Sequence, residues 1–378
     1  MKWDRQYNRI SSLSFRTMDQ APLQEDAPPE EGGRRLGGTI LLFALPAVFI
    51  ALLGCLVFWY QGRALAAERV LDPDRVLTAA PEAKPLDPLL EEGEDMRSAT
   101  RYRDRTVALG ISDEDLYHGF LLVVNDRHIL PADYLPEDLA VTNDLADALG
   151  QAVISVSKAR LEMDKTAAEN LMAMAAAAYQ ESGTGGWLLQ SGYRDFAYQA
   201  YLHQRKVDEY RNAGYGAEEA ERAAAFWVAR SRESEHNTGL AADVTSRTHP
   251  DLQPSFARAA NGLWLAENSW RFGFIVRYPE EKTGITKVGF EPWHIRYVGR
   301  PHSDFIRQKG WCLEEYMDFL IREGGYTYKD ENGIIWQVDY QEAKDHALEV
   351  PADLPYTVSG DGAGGFIVTV RLDNAPSS

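Results

Sequence analysis

Two cysteines in 378 residues leave little scope for covalent bracing. The first, Cys55, lies inside an apolar run, so a bridge to Cys312 is implausible and stability has to come from packing or from a metal. Basic charge is scarce too: 39 Lys and Arg against 57 Asp and Glu give a formal net charge of -18. Nucleic-acid binding draws most of its affinity from clustered cations neutralising phosphates, so that partner is excluded. The lack of thiols does not place the chain in a compartment, because exported proteins can do without them. Apolar residues are plentiful at 45%, enough for one large or two medium domains with real cores. No internal repeat is present.

From Gly37 to Tyr60 no residue is charged. At about 1.5 Å per residue such a run can cross a hydrocarbon core of about 30 Å, which predicts a transmembrane helix over 37–60. Trp59 and Tyr60 suit the interface at one end, Arg34 and Arg35 flank the other, and Pro46 is tolerable as a kink. A cleaved signal peptide has a shorter apolar core. Leu52-Leu53-Gly54-Cys55 resembles a lipoprotein box, yet the run continues past the cysteine, so lipidation of Cys55 stays open. Arginines on both flanks leave the orientation to be settled by the chemistry.

Residues 1–36 carry mixed charge and a Pro/Gly breaker cluster, which predicts a disordered tail. The proline-punctuated stretch 61–105 reads as a stalk. A catalytic domain is expected over 106–310 and a C-terminal extension with a helix and short strands over 311–378. Strands are expected at Phe120–Asn125, Leu240–Thr245, Phe274–Tyr278 and Trp293–Val298, and Trp187–Arg194 is expected as a strand running into a loop. Helices are expected at 161–179, from the Asp195 cap to about Ala213, at 218–230 and at 255–269. The fold class is α+β.

In SEHNTGLAADV a histidine and an aspartate stand seven apart around a glycine. Gly239 lets the loop turn so that His236 and Asp243 can meet at one ion. A hydrolytic zinc site needs three ligands, an open position for water and a base beside that water. His236, Asp243 and His294 supply the first set, and Glu291, three residues before His294, supplies the base. There are eight histidines, and a lone one is more often packed or exposed than a ligand; His203, His249, His302 and His346 keep that reading.

Ser234-x-His236-x-x-Gly239-x-Ala241-x-Asp243, followed by Glu291-Pro292-Trp293-His294, resembles the VanY-type D-alanyl-D-alanine carboxypeptidases, zinc peptidases that share a fold with the lysostaphin and sonic-hedgehog groups. Gln190 to Arg194 with Gln199 is similar to the family's substrate-binding segment, and the likeness runs over about 118–310. It implies helices on a central antiparallel sheet, one zinc on His236, Asp243 and His294, and Glu291 as base. It also implies Arg194 at the scissile carbonyl or terminal carboxylate, with Gln199 and Ser234 nearby. Trp293 is expected to line the substrate site, and Tyr193, an aromatic beside a strand, to pack in the core. Each has a plainer alternative: Arg194 pairing with an acid, Ser234 capping its loop, Gln199 exposed on a helix, Trp293 in the core.

The implied reaction removes the terminal D-alanine from peptidoglycan stem peptides. Those substrates lie outside the cytoplasmic membrane, so the peptidase is expected outside and the tail inside. A zinc-containing muropeptide-binding module is the alternative from another class, and Glu291 counts against it, since a binder needs no base. D,D-dipeptidase, L,D-carboxypeptidase and endopeptidase specificities stay open, as do oligomeric state and the purpose of the C-terminal extension.

Overall fold

A computed structural model describes residues 76–77 and 105–372. The tail expected at 1–36, the transmembrane helix expected at 37–60 and nearly all of the 61–105 stalk lie outside the described residues. Among the described residues no helix is long and apolar enough to cross a membrane. The strands are β1 (Val76–Leu77), β2 (Thr106–Gly110), β3 (Leu139–Val141), β4 (Ile154–Val156), β5 (Glu162–Asp164), β6 (Trp187–Ser191) and β7 (Ala241–Ser246). They continue with β8 (Phe274–Tyr278), β9 (Glu291–Tyr297), β10 (Gly325–Lys329), β11 (Ile335–Glu342), β12 (Ala347–Pro351), β13 (Tyr356–Gly360) and β14 (Gly365–Arg371). The main helices are α1 (Thr142–Leu149), α2 (Lys165–Ser182), α3 (Phe196–Asn212), α4 (Ala217–Ala225), α5 (Ala260–Asn268), α6 (His302–Lys309) and α7 (Leu313–Glu323).

Five strands form the central sheet in the order β4-β6-β7-β9-β8. The β4–β6 pair is parallel and the rest antiparallel, so the sheet is mixed rather than wholly antiparallel as expected. On β6 alternate residues Trp187, Leu189 and Ser191 are buried, as a period of two requires for a strand with one face on the core. That core gathers Leu171, Met174 and Ala178 of α2, Leu265 of α5, and Val244 and Ile295 of the sheet. Helix α2 starts at Lys165, later than the composition suggests, because Glu162–Asp164 is claimed by pairing with β3 and the Asp164 carboxylate then caps Ala167 N–H. Asp195 caps α3 as expected, accepting from Tyr198 N at 2.7 Å. Helix α4 stops at Ala225 rather than running to Arg230, and the Val228 and Ala229 carbonyls beyond it accept from His203 and Gln199 of α3. The single helix expected over 255–269 is a 3-10 turn, Pro254–Arg258, followed by α5.

Phe120–Asn125 forms no strand and joins no sheet, against expectation. Its backbone groups are satisfied by side chains and loop carbonyls: Arg296 Nη2 donates to the Phe120 and Leu122 carbonyls, Leu121 N–H donates to Ser359 Oγ, and Val123 N–H and Asn125 N–H donate to the Asp361 and His128 carbonyls. The C-terminal residues build a four-stranded sheet in the order β10-β11-β14-β13, and β12 pairs with β2. The boundary expected at 310 therefore leaves β2 on the far side from its own strand partner. Apolar packing crosses the same line, with Leu121, Ile275 and Val298 in one cluster with Leu313, Tyr316 and Val338.

Candidate metal centre

The chain enters the site through a 3-10 turn, Glu235–Thr238, which ends on Gly239 at φ 79° and passes into β7. A Cβ at Gly239 would lie 2.8 Å from Asp164 N, so both the backbone angle and the space call for glycine. Two residues into β7, Asp243 faces His294 of β9 as a direct cross-strand partner. The pairing brings Asp243 Oδ1 to 3.1 Å from His294 Nδ1, and the 3-10 turn brings His236 Nε2 to 3.3 Å from the same oxygen. The potential ligand atoms of all three buried residues lie within 4.8 Å of one another.

Glu291 reaches this cluster because β9 is irregular. In a regular strand residues three apart face opposite sides. The register between β8 and β9 shifts between Val276 and Tyr278, at the stretch holding Pro292, and this brings Glu291 Oε2 to 3.7 Å from His294 Nδ1. Trp293 obeys the alternation. It points away from His294 into the core cluster with Trp264 and Phe274, so the expectation that it lines the substrate site is corrected. Tyr193, expected in the core, is half-buried.

Arg194 is held at three nitrogens: Nη2 to Asp243 Oδ2 at 2.6 Å, Nε to Ser191 Oγ at 2.8 Å and Nη1 to Gln199 Oε1 at 3.3 Å. Gln199 is buried rather than exposed, and its amide also donates to the Ala229 carbonyl, so it fixes the guanidinium from behind. Ser234 is buried at the start of the 3-10 turn, without a side-chain cap bond. The structure thus brings His236, Asp243, His294, Glu291, Arg194 and Gln199 together. Of the remaining histidines, His203 bonds Glu221 and the Val228 carbonyl, and His302 bonds Tyr316 and Thr369.

Each imidazole turns one ring nitrogen toward Asp243 Oδ1. His236 Nδ1 donates to the Gly192 carbonyl at 2.7 Å, which leaves the Nε2 lone pair facing Asp243. Burial, with Arg194 nearby, lowers the His236 pKa to about 4 and keeps the ring neutral. His294 behaves differently: burial opposes its charge, but the Asp243 and Glu235 carboxylates overcome that and raise it to about 9. Burial also raises Glu291 to about 8, while Asp243, despite burial, is held well below the usual carboxylate range by His236 and Arg194. Three carboxylates crowd two imidazoles here, a field that draws a cation onto His294. Two imidazole nitrogens and one carboxylate oxygen at this spacing fit the three-ligand set of catalytic zinc.

Sequence reasoning missed Glu235, Arg277, Arg296 and Glu314, which form a buried ion network behind His294. The one available signal was Glu235 itself, a carboxylate in the turn between Ser234 and His236.

A buried acid, a guanidinium and this donor set on an α+β sheet define a hydrolytic metallopeptidase centre. Residues 160–300 match the family model described as VanY, D-alanyl-D-alanine carboxypeptidase. A D-alanyl-D-alanine carboxypeptidase of Enterococcus faecium is 35% identical over 265 residues, covering 69% of this chain and 78% of that protein. Among solved structures, the vancomycin-resistance D,D-dipeptidase VanXYg, in complex with a D-Ala-D-Ala phosphinate analogue, is 26% identical with a TM-score of 0.58, covering 71% of this chain and 98% of that one. The D,D-pentapeptidase VanY of a VanB-type resistance cassette, a mutant solved in complex with Zn(II), is 36% identical over 52% of this chain and 98% of its own, with a TM-score of 0.43. The chain belongs to the VanY family of D-alanyl-D-alanine carboxypeptidases.

Proposed function

We propose that the chain is a membrane-anchored zinc D,D-carboxypeptidase that removes the terminal D-alanine from peptidoglycan stem peptides outside the cytoplasmic membrane. The observation that carries it is the Asp243–His294 cross-strand pair, with His236 and Glu291 converging on it. His236 Nε2, Asp243 Oδ1 and His294 Nδ1 would hold the ion. When bound, zinc supplies Lewis acidity, polarising a carbonyl and lowering the pKa of water toward neutrality.

The remaining work falls to side chains of this chain. The Glu291 carboxylate takes a proton from the attacking water and returns it to the leaving amine nitrogen, a role suited to a group whose burial brings its pKa near neutrality. Arg194, immobilised by Ser191, Gln199 and Asp243, presents fixed positive charge to the developing oxyanion or to the terminal carboxylate of the peptide. The apolar run at 37–60 supports a single anchoring helix, with the stalk at 61–105 holding the domain off the membrane.

Glu291→Gln is the test, on a synthetic pentapeptide ending in D-Ala-D-Ala. It keeps the shape of the side chain and removes its basicity, so zinc content and peptide binding should hold while D-alanine release falls about 10² to 10⁴-fold. Normal cleavage by the variant would assign the base elsewhere. Binding without cleavage by the unmodified chain would favour a muropeptide-binding module. The likeness to VanXYg favours one further reading, a D,D-dipeptidase; faster hydrolysis of free D-Ala-D-Ala than of the pentapeptide would establish it.

A further inference from the structure

Two buried polar atoms at the back of the site lack a hydrogen-bond partner, and they face each other. His294 Nε2 and Glu235 Oε2 are both unpaired, 3.6 Å apart. The other oxygen of Glu235 is fully engaged, accepting from Arg277 Nε at 2.7 Å and Arg296 Nη1 at 2.9 Å. Arg277 continues the chain: its two terminal nitrogens bind Glu314 of α7 in a bidentate pair at 2.8 and 2.6 Å. Glu235, Arg277 and Arg296 are almost wholly buried, and with Glu314 they balance two negative charges against two positive. A buried ion network of this kind is costly to build unless every member is paired. The one member with an unused acceptor aims it at the back of a metal-facing imidazole.

We propose that Glu235 is the positioning residue for His294, and that the C-terminal helix α7 acts on the metal site through Glu314 and Arg277. The inference rests on reading His236, Asp243 and His294 as the ligands. An acceptor at Nε2 keeps the proton on that nitrogen and so keeps the Nδ1 lone pair toward Asp243 and the ion. A shift of about 0.6 Å closes the contact to ordinary hydrogen-bond length. Arg277 and Arg296 fix Glu235 in place, and Glu314 fixes Arg277. The extension after residue 310 thereby gains a role: it supplies the last carboxylate of a chain that ends on a ligand.

Zinc affinity of the full chain, measured by chelator competition, is the main readout. Glu235→Gln should weaken zinc about 10- to 100-fold, because its amide can turn an N–H toward Nε2 and favour the tautomer that cannot ligate. Glu314→Gln, which touches no ligand, should weaken it in the same direction by less. Leu320→Ala serves as control, since Leu320 is buried in α7 outside the ion chain and its loss destabilises the same helix; zinc affinity should stay unchanged at temperatures where the variant is folded. In unmodified, ¹⁵N-histidine-labelled protein, His294 should show a slowly exchanging Nε2 proton. That measurement decides the matter even where Glu235→Gln fails to fold. Unaltered zinc affinity in folded Glu235→Gln, equal weakening by Leu320→Ala, or a rapidly exchanging Nε2 proton would each overturn the proposal. Full zinc occupancy in His294→Ala would instead overturn the ligand assignment beneath it.

Discussion

Arg194 and Asp243 form a directional pair: Nη2 meets Oδ2 at 2.6 Å, while Oδ1 of the same carboxylate faces both imidazoles at 3.1 and 3.3 Å. The guanidinium therefore decides which oxygen Asp243 turns toward the imidazoles. Lysine cannot reproduce a planar fork held at three nitrogens. Arg194→Lys should lower kcat about 10² to 10³-fold, the usual cost of losing one preorganised oxyanion partner. Steady-state kinetics beside zinc analysis checks this; unchanged kcat would reduce Arg194 to a structural counter-ion.

Gly239 sets the distance between two residues proposed as ligands, His236 and Asp243. Gly239→Ala places a Cβ 2.8 Å from Asp164 N at a backbone angle that side chains avoid. About 1 to 3 kcal/mol of stability should be lost, with weakened zinc binding because His236 and Asp243 no longer share one turn. Chemical denaturation of the zinc-free and zinc-loaded forms measures both effects.

His302 should make the fold acid-sensitive. Burial lowers its pKa to about 3, with Tyr316 Oη on Nδ1 and Thr369 Oγ1 on Nε2, whereas an unfolded histidine titrates near 6.5. The unfolded chain therefore binds a proton that the folded chain refuses, and stability falls as pH drops from about 6.5 toward 3. His302→Gln should flatten this dependence by up to one proton. Denaturation midpoints at several pH values, compared with the unmodified chain, provide the check.

Topology is tested on intact cells. Externally added protease should cut within 61–105 and release an active domain, since that stretch is rich in proline and charge. Complete protection of the domain, with cleavage of the tail at 1–36, would reverse the orientation.

The grouping of His236, Asp243 and His294 was legible because these residues sit on short local patterns. His236 and Asp243 are separated by one turn, and His294 follows Glu291 on a single strand. Trp293 was misplaced although the signal was present: if His294 faces the site, its neighbour on a strand faces away. Glu291 escapes the same rule only through the irregular register of β9, which the sequence marks with nothing more than Pro292. Phe120–Asn125 has the composition of a strand, but its backbone partners are the side chains of Arg296 and Ser359 and scattered loop carbonyls rather than a neighbouring strand. The network through Arg277 and Glu314 joins residues far apart in the chain, and no local spacing encodes such contacts.

The pairing of β2 with β12 imposes an order on biogenesis. Thr106–Gly110 leaves the ribosome long before Ala347–Pro351, so β2, which has β1 on one side, waits in the meantime with its other edge unpaired. A partner of such high sequence separation makes closure slow and leaves an open edge exposed meanwhile. A chain truncated before residue 347 would never close that clasp, and premature termination near the C-terminus should yield protein that is degraded rather than partly active.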